Sequence, residues 1–412
     1  MKVDLLTVEE ATQAVLERAC ALPPIRLPLS MARECLLAED VSADGDSPPF
    51  DKALMDGFAL RFADLRNGVG TLRIVEELYA GSLPSRSLMG GDASLIMTGA
   101  PIPEGADTVV MIERTRRDGD RVLVEDPSVR PGGNILRRGR EMRAGDVIVR
   151  RGETLTPTRL GMLASAGRPS PLVVPAPRVA IVPTGDELVE SNQVPGPGQI
   201  RNSNAVVLEA LVAGAGAIPL LSPIARDDPE ILREALGEGL ASDVLLITGG
   251  VSAGQRDLVP ATLMGLGVER VFHKVRLKPG KPLFFGVGPR RGEKPGTLVF
   301  GLPGNPVSGV VGFLLFVRPA LDLLAGRAGR PLGLPLYPLT RAFVHAGEKP
   351  TYHPARRVEW TGRGPGTVGL EPLASAGSAD LLTASRADGF ALFPAGDRAY
   401  APGDVVGFLD LG

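Results

Sequence analysis

The chain has little of the chemistry that marks several common protein classes. Of its 412 residues only two are cysteine, three histidine and one tryptophan, and aromatics make up 4%. Two cysteines, Cys20 and Cys35, do not make a disulfide framework; both fall in helix-like segments and read as buried free thiols. His273, His345 and His353 show no zinc spacing with each other or with the cysteines. The formal net charge is −2, so no basic surface for general nucleic-acid binding is expected. The opening run MKVDLLTVEEA puts acids where a secretion signal needs an apolar stretch. The most apolar window, Val307 to Val317, is closed by Arg318 and reads as too short to span a bilayer. No membrane partner and a cytoplasmic location are the expectation. Nucleotide fingerprints are missing too. No Gly-x-x-x-x-Gly-Lys-Ser/Thr occurs, and Gly214-Ala215-Gly216 ends a helix and reads as a C-cap.

What the chain does have is glycine (52) and proline (38), spread between apolar runs without a period. That pattern means many tight turns, as in β-rich modules joined to an α/β core. Its length exceeds what one hydrophobic core usually serves, so about three or four compact units are expected. Residues 7–21 read as a helix with a Thr7/Glu10 capping box, and Ser30 to Glu39 as a second helix. Residues 46–140 change to short alternating strands and form an inserted β-rich module. It interrupts a mixed domain made of 1–45 and 141–175, which has a helix near Pro157 to Ala166. Residues 176–328 alternate strand and helix, which predicts a mostly parallel sheet with helices on both faces. Residues 329–412 have short strands and read as a C-terminal β-barrel. The fold class expected is therefore α/β with β-rich accessory domains.

Three loops follow predicted strands of the α/β domain: Thr184-Gly185-Asp186-Glu187, Thr248-Gly249-Gly250-Val251-Ser252 and Leu302-Pro303-Gly304-Asn305-Pro306. Glycine lets backbone amides approach an anion closely, and a following helix adds a favourable dipole. One such loop is equally well a structural turn. Three at the carboxyl ends of strands define a ligand rim. Carboxylates cluster on the same loops: Asp186, Glu187, Asp227, Asp228 and Asp257. Asp228, before Pro229, reads as a helix cap. Acids beside anion-binding loops suit Mg²⁺, which bridges carboxylate to phosphate. Lys274, Arg276 and Lys278 alternate as if along one strand and so project from one face, with Lys281 next in Lys278-Pro279-Gly280-Lys281. A solvated face is the plain alternative; a positioned pair of cations for phosphate or oxyanion is the sharper one. In the inserted module, Ala53 to Ala59 holds Asp56 among apolar neighbours, which reads either as a plain Asp-Gly turn or as a partly buried reactive or metal-binding carboxylate, and Met97 to Pro101 reads as another close-approach loop.

Together these motifs resemble the molybdopterin molybdenumtransferase family, which includes the carboxy-terminal domain of gephyrin and the plant molybdenum insertase. Met55-Asp56-Gly57-Phe58-Ala59 matches its Met-Asp-Gly-Tyr-Ala motif, and Ile96 to Ala106, Thr184 to Leu188, Thr248 to Ser252, Lys278 to Pro282 and Leu302 to Pro306 follow in family order. The resemblance implies insertion of molybdenum from molybdate into adenylylated molybdopterin, with Mg²⁺-dependent release of AMP. It implies an elongated subunit with a molybdopterin-binding-type parallel α/β domain. It also implies a homodimer whose active cleft is shared between the α/β domain of one subunit and the β module of the other, and a partnership with molybdopterin adenylyltransferase. Carried over by position, Asp56, Glu187 and Asp257 are catalytic and metal-binding acids, and Lys274 and Lys278 neutralise charge on oxyanion and phosphate. Substrate binding falls to Thr98, Thr184, Gly185, Asp186, Asp227, Thr248, Gly249, Gly250, Val251, Ser252, Lys281, Pro303, Gly304, Asn305 and Pro306. Departures from the family pattern are Leu136 in place of an arginine, Arg140 at a commonly acidic position, Asn202 for aspartate, and Gln255-Arg256 before Asp257. An adenylyltransferase resembles only 177–326, so the flanking domains and the Asp56 motif count against it. A scaffold without chemistry predicts a degenerate site, whereas Asp56, Glu187, Asp257 and Lys278 are all present.

Overall fold

The computed structural model describes residues 5–251, 258–290, 292, 295–328, 333–360, 362 and 366–411. Two compact units account for the chain. One comprises Arg26–Arg33 and Leu37–Leu172; the other comprises Met1–Ile25, Glu34–Leu36 and Val173–Gly412.

The capping box expected at Thr7 is present: its hydroxyl accepts from Glu10 N at 3.1 Å, and Glu10 Oε2 accepts from Thr7 N at 2.8 Å. The helix it starts, α1 (Val8–Leu16), stops short of residue 21. Cys20 therefore lies beyond it and is exposed, against the expectation of a buried thiol, while Cys35 is buried. No helix covers Ser30 to Glu39. A 3₁₀ turn at Leu29–Met31 and a two-residue strand at Leu36–Leu37 stand there. Glu34 between them has φ 61°, a conformation that a right-handed helix does not admit.

The smaller unit is built on β1 (Gly57–Leu60), β2 (Val69–Leu78), β3 (Asp92–Ile96), β4 (Thr108–Met111), β5 (Thr115–Asp118) and β6 (Arg121–Glu125). They form one sheet in the order β4-β1-β3-β2-β6-β5, in which only β2 and β3 run parallel. Phe58, Leu60, Leu72, Leu95, Val110 and Val122 fill its core. The helix expected near Pro157 is α2 (Pro157–Ser165), capped by Thr156 with proline in its first turn.

The larger unit holds the α/β domain: β7 (Arg178–Pro183), α3 (Ser203–Gly214), β8 (Ile218–Leu221), α4 (Pro229–Gly239), β9 (Val244–Thr248), α5 (Leu258–Gly265), β10 (Glu269–His273), β11 (Phe284–Val287), β12 (Leu298–Leu302) and α6 (Pro306–Leu324). The sheet order is β8-β7-β9-β12-β11-β10. Strands β8, β7, β9 and β12 are parallel, and β11 runs against both its neighbours. The all-apolar runs of β9 and β12 are buried throughout, as strands covered on both faces require. Asp228 caps α4 by accepting from Glu230 N and Ile231 N, as expected.

Helix α6 corrects the reading of the Val307–Val317 window. The helix passes through Arg318 and Pro319, with a π-helical turn at Phe313–Val317, and reaches 19 residues with a mean hydropathy of 1.8. That is long and apolar enough to cross a membrane by length and composition. Since 89% of it is buried inside the protein, it is a core helix instead.

The C-terminal strands β13 (Leu336–Pro338), β14 (Phe343–His345), β15 (Thr351–Glu359), β16 (Val368–Pro372), β17 (Gly389–Phe393), β18 (Arg398–Tyr400) and β19 (Val405–Asp410) include one sheet in the order β13-β19-β17-β15-β16. A parallel bridge from Leu339 to Leu370, with Thr340 N donating to Leu370 O at 2.8 Å, brings its two edges together. The sheet is therefore a nearly closed barrel around Leu339, Leu370, Phe393 and Phe408.

Candidate functional site

The three expected loops leave adjacent strands at one level. Pro183 lies beside Thr248, and Thr248 beside Leu302, so residues 184, 249 and 303 all emerge from the carboxyl edge of β7, β9 and β12. Each loop is pinned by a side chain from elsewhere. Arg226 donates to Asp186 O (3.0 Å) and Leu188 O (3.1 Å), His273 Nε2 donates to Val251 O (2.8 Å), and Asn204 Nδ2 donates to Gly304 O (2.7 Å). Glycine is required at the middle loop: Gly249 has φ 89°, and a Cβ there would fall 2.5 Å from Thr184 O. Among the described residues, the amides of Gly250, Gly304 and Asn305 donate to no group. The last two stand at the head of α6, where exposed N–H groups and the helix dipole favour an anion.

The side chains at the rim divide by role. Thr184 and Thr248 are buried, and the Thr184 hydroxyl donates to Thr248 O at 3.3 Å. Asp186 accepts from Asp227 N at 3.2 Å. Glu187 is exposed and folds back over Gly185, whose missing Cβ would lie 2.5 Å from the Glu187 carboxylate. Among the described residues that carboxylate has no hydrogen-bond or ion-pair partner. Ser252, Gln255, Arg256 and Asp257 lie outside the described residues.

The lysines do not share one strand face. β10 ends at His273, and Lys274 takes φ 116°. After it the backbone changes partners. Lys274 N donates to Leu283 O, Val275 N to Lys281 O, Arg276 N to Leu6 O and Lys278 N to Pro350 O. With these changing partners residues 274–278 are not one regular strand, and Arg276 donates to the Glu348 carbonyl at 2.8 Å. Lys278 and Lys281 instead meet Lys349 in a cavity of about 810 Å³, lined also by Asn305, Ser308 and Ser378. Burial and the neighbouring charges of Lys281 and Lys278 hold the Lys349 ammonium below the ordinary lysine value. Burial also lowers the His353 imidazole, with the Lys278 charge adding to it and a bond to the Leu373 carbonyl opposing it. Asn305 belongs to both rim and cavity, and its Nδ2 donates to Ser378 Oγ at 2.8 Å. A larger cavity of about 1090 Å³, lined by residues such as Leu314, Tyr352 and Phe408, touches none of the expected site residues.

In the smaller unit, Asp56 is exposed, as are Leu54 (44%) and Met55 (46%), against the expectation of a partly buried acid. The apolar residues beside it in sequence do not cover it, because the buried strand begins only at Gly57. That glycine is forced: a Cβ would fall 1.9 Å from Val110 O. Thr98 N (2.7 Å) and Thr98 Oγ1 (2.8 Å) both donate to Asp56 Oδ1. These two bonds, the backbone one first, hold the Asp56 carboxyl below its usual value. Arg137 pairs with Asp51 and Arg138 with Asp46, each at 2.6 Å, and Asn202 caps α3. Lys349, Ser308 and Ser378 were not found by sequence reasoning. They lie outside the glycine-rich runs, and only the pairing of residues 278 and 350–352 brings the first of them to the lysine loop.

A central α/β sheet with three glycine-rich loops on its carboxyl edge, and β-rich domains before and after it in the chain, defines a multidomain protein of the α/β class. Three consecutive family matches agree: residues 6–167 match the MoeA N-terminal region (domain I and II), 180–323 the "Probable molybdopterin binding domain", and 337–411 the MoeA C-terminal region (domain IV). A molybdopterin molybdenumtransferase from Nostoc sp. is 36% identical over 71% of this chain and 67% of the relative; one from Staphylococcus aureus is 32% identical over 78% and 76%. Two structures of the molybdopterin biosynthesis MoeA protein from Pyrococcus horikoshii align with TM-scores of 0.75 and 0.69. They are 27% and 28% identical, covering 99% and 98% of this chain and 100% and 99% of theirs. The chain belongs to the molybdopterin molybdenumtransferase family.

Proposed function

We propose that this enzyme works in molybdenum cofactor biosynthesis, moving molybdenum from molybdate to adenylylated molybdopterin with Mg²⁺-dependent release of AMP. The observation that carries the reading is Asn305, which joins an anion-cradling rim to a lysine-lined cavity within one compact unit. The substrate phosphate sits on the rim, where the amides of Gly304 and Asn305 and the α6 dipole receive it. The tetrahedral molybdate sits in the cavity, with its two negative charges met by Lys278, Lys281 and Lys349. Lys274 does not line the cavity, and its catalytic role rests on the family resemblance alone. No Ser-His or Cys-His pair enters the argument; the residues position and neutralise, which is how most transfer of anionic groups is accelerated.

The donor chemistry fits Mg²⁺. Among the described residues no three acids, histidines or cysteines form a ready-made cage, and Mg²⁺ characteristically uses one or two carboxylates together with substrate oxygens and water. Glu187 has a carboxylate without a partner among the described residues, and Asp56 leaves Oδ2 clear of its Thr98 bonds. With Asp257 these are the acids that would hold the ion, which supplies charge neutralisation at phosphate. The proposal includes a cytoplasmic homodimer whose cleft is shared between the α/β domain of one subunit and the β module of the other, and delivery of substrate by an adenylyltransferase. It also keeps the four-part division 1–45 plus 141–175, 46–140, 176–328 and 329–412, which limited proteolysis would resolve as stable fragments.

The test is a purified assay with adenylylated molybdopterin, molybdate and Mg²⁺, following AMP release and reconstitution of a molybdoenzyme. Asp56→Asn and Glu187→Gln are expected to lower the rate by about 100-fold or more, with the fold intact by circular dichroism. Normal rates in either variant would remove that residue from the site.

A further inference from the structure

Two buried residues that line the lysine cavity carry a polar atom without a hydrogen-bond partner among the described residues. His345 on β14 is 4% exposed and Thr351 on β15 is 8% exposed, and both line the cavity. Among the described residues His345 Nε2 and Thr351 Oγ1 have no hydrogen-bond partner. Burying a donor without a partner costs about 1–3 kcal/mol, so folded proteins pair nearly all such groups. The neighbourhood is otherwise well satisfied. Asn305 pairs with Ser378, His353 Nε2 pairs with the Leu373 carbonyl at 2.7 Å, and Lys278 is held by backbone bonds to residues 350 and 352. Ring packing holds His345 in place: it stacks on Phe393 with centroids 6.2 Å apart, and Phe393 in turn stacks on Phe343 at 4.0 Å. Thr351 is fixed as the residue paired with Phe393 across β15 and β17. The two orphaned groups thus sit on one rigid aromatic layer that walls a cavity already carrying three lysines.

We propose that His345 and Thr351 are specificity-determining hydrogen-bond donors for the oxyanion held in this cavity. The inference rests on the reading above that the cavity takes the oxyanion. Lysine ammonium groups neutralise charge with little directional preference, because each rotates three donors on a flexible stem. An imidazole N–H and a hydroxyl on fixed strands are directional, and each serves one oxygen of a tetrahedral anion at a set distance. That division lets the lysines supply affinity for any dianion, while His345 and Thr351 set which tetrahedral size is preferred.

The probe is sodium molybdate alone, titrated calorimetrically into the full-length protein, with sodium sulfate as the smaller tetrahedral competitor. His345→Phe keeps the ring stack and removes the nitrogens; Thr351→Val keeps the branched strand residue and removes the hydroxyl. Each is expected to weaken molybdate binding by about tenfold, as loss of one hydrogen bond to a charged group does, and to narrow the molybdate-to-sulfate ratio. Thr351→Ser is expected to restore both. Neither variant is expected to lower the melting temperature without molybdate, since each removes an unpaired buried group. Wild-type molybdate affinity and selectivity in His345→Phe and Thr351→Val overturns the proposal. Lys281→Ala separates the two readings: if it too binds molybdate normally, the cavity is not the oxyanion site at all; if it alone loses binding, only the role of His345 and Thr351 falls.

Discussion

The Asp56 corner and the lysine cavity hold opposite charges by opposite means. At Asp56 everything needed is close in space and simple: one exposed carboxylate, one threonine giving two bonds, and one glycine that lets the strand approach Val110. The two Thr98 donors hold its carboxyl below the ordinary value. In the cavity, three lysines from two sequence regions meet, and burial of Lys349 with the charges of Lys281 and Lys278, opposed by Glu348, holds its ammonium below the ordinary value. At Asp56 one carboxylate oxygen is tied to Thr98, whereas the lysine cavity gathers like charges from distant parts of the chain. The contrast teaches that a family motif and a binding cavity are different kinds of object, the first fixed locally and the second assembled at long range.

The largest expected effect attacks the local character of the first site. Gly57→Ala places a methyl 1.9 Å from the Val110 carbonyl, between two paired strands. It should destabilise the β module by roughly 3 kcal/mol, as forced overpacking does. Denaturant unfolding of the full chain would show the loss, and an unchanged midpoint would mean the corner is more pliable than these contacts allow.

An intermediate effect sharpens the charge argument. Thr98→Val removes the hydroxyl bond to Asp56 but keeps the backbone N–H bond, so the Asp56 pKa should rise toward, without reaching, its ordinary value. Because the folded pKa is depressed, the stabilisation it brings is present above the unfolded aspartate value and is lost as pH falls through the folded one. The acid limb of the activity profile should therefore move to higher pH in the variant. Carbon NMR of the labelled carboxyl measures the same shift directly, and a stationary limb contradicts the assignment.

The smallest effect tests the cavity. Lys349 has its folded pKa below its unfolded value, so its charged form is disfavoured by folding. That penalty is present at neutral pH and is relieved as pH rises through the depressed value toward that of free lysine. Lys349→Met should raise the melting temperature on the order of 1 °C without an oxyanion, and should lose the extra stabilisation that molybdate gives the wild type. A lower melting temperature in both conditions would make Lys349 a structural residue.

Much of the fold was legible because it depends on patterns within a few residues. The Thr7 capping box, the Asp228-Pro229 helix start and the apolar runs of β9 and β12 are local, and the protein folds as they indicate. The failures have a common cause. Residues 30–39 have helical composition but are broken by the left-handed turn at Glu34, and Val307–Val317 continues past Arg318 because core burial outweighs the charge that seemed to end it. The Lys274-Arg276-Lys278 alternation is regular on paper, yet its backbone partners come from residues 283, 281, 6 and 350.

The sequence by itself determined that three glycine-rich loops follow strands and that Asp56 stands before a glycine. Strand propensity and backbone freedom are properties of neighbours along the chain. Only the tertiary structure decided that those three strands are adjacent and parallel, so that the loops share one edge. It alone placed Lys349, His345 and Thr351 around the lysine loop some seventy residues earlier in the chain, because barrel closure and the pairing of Lys278 with residues 350–352 involve partners that no local pattern announces.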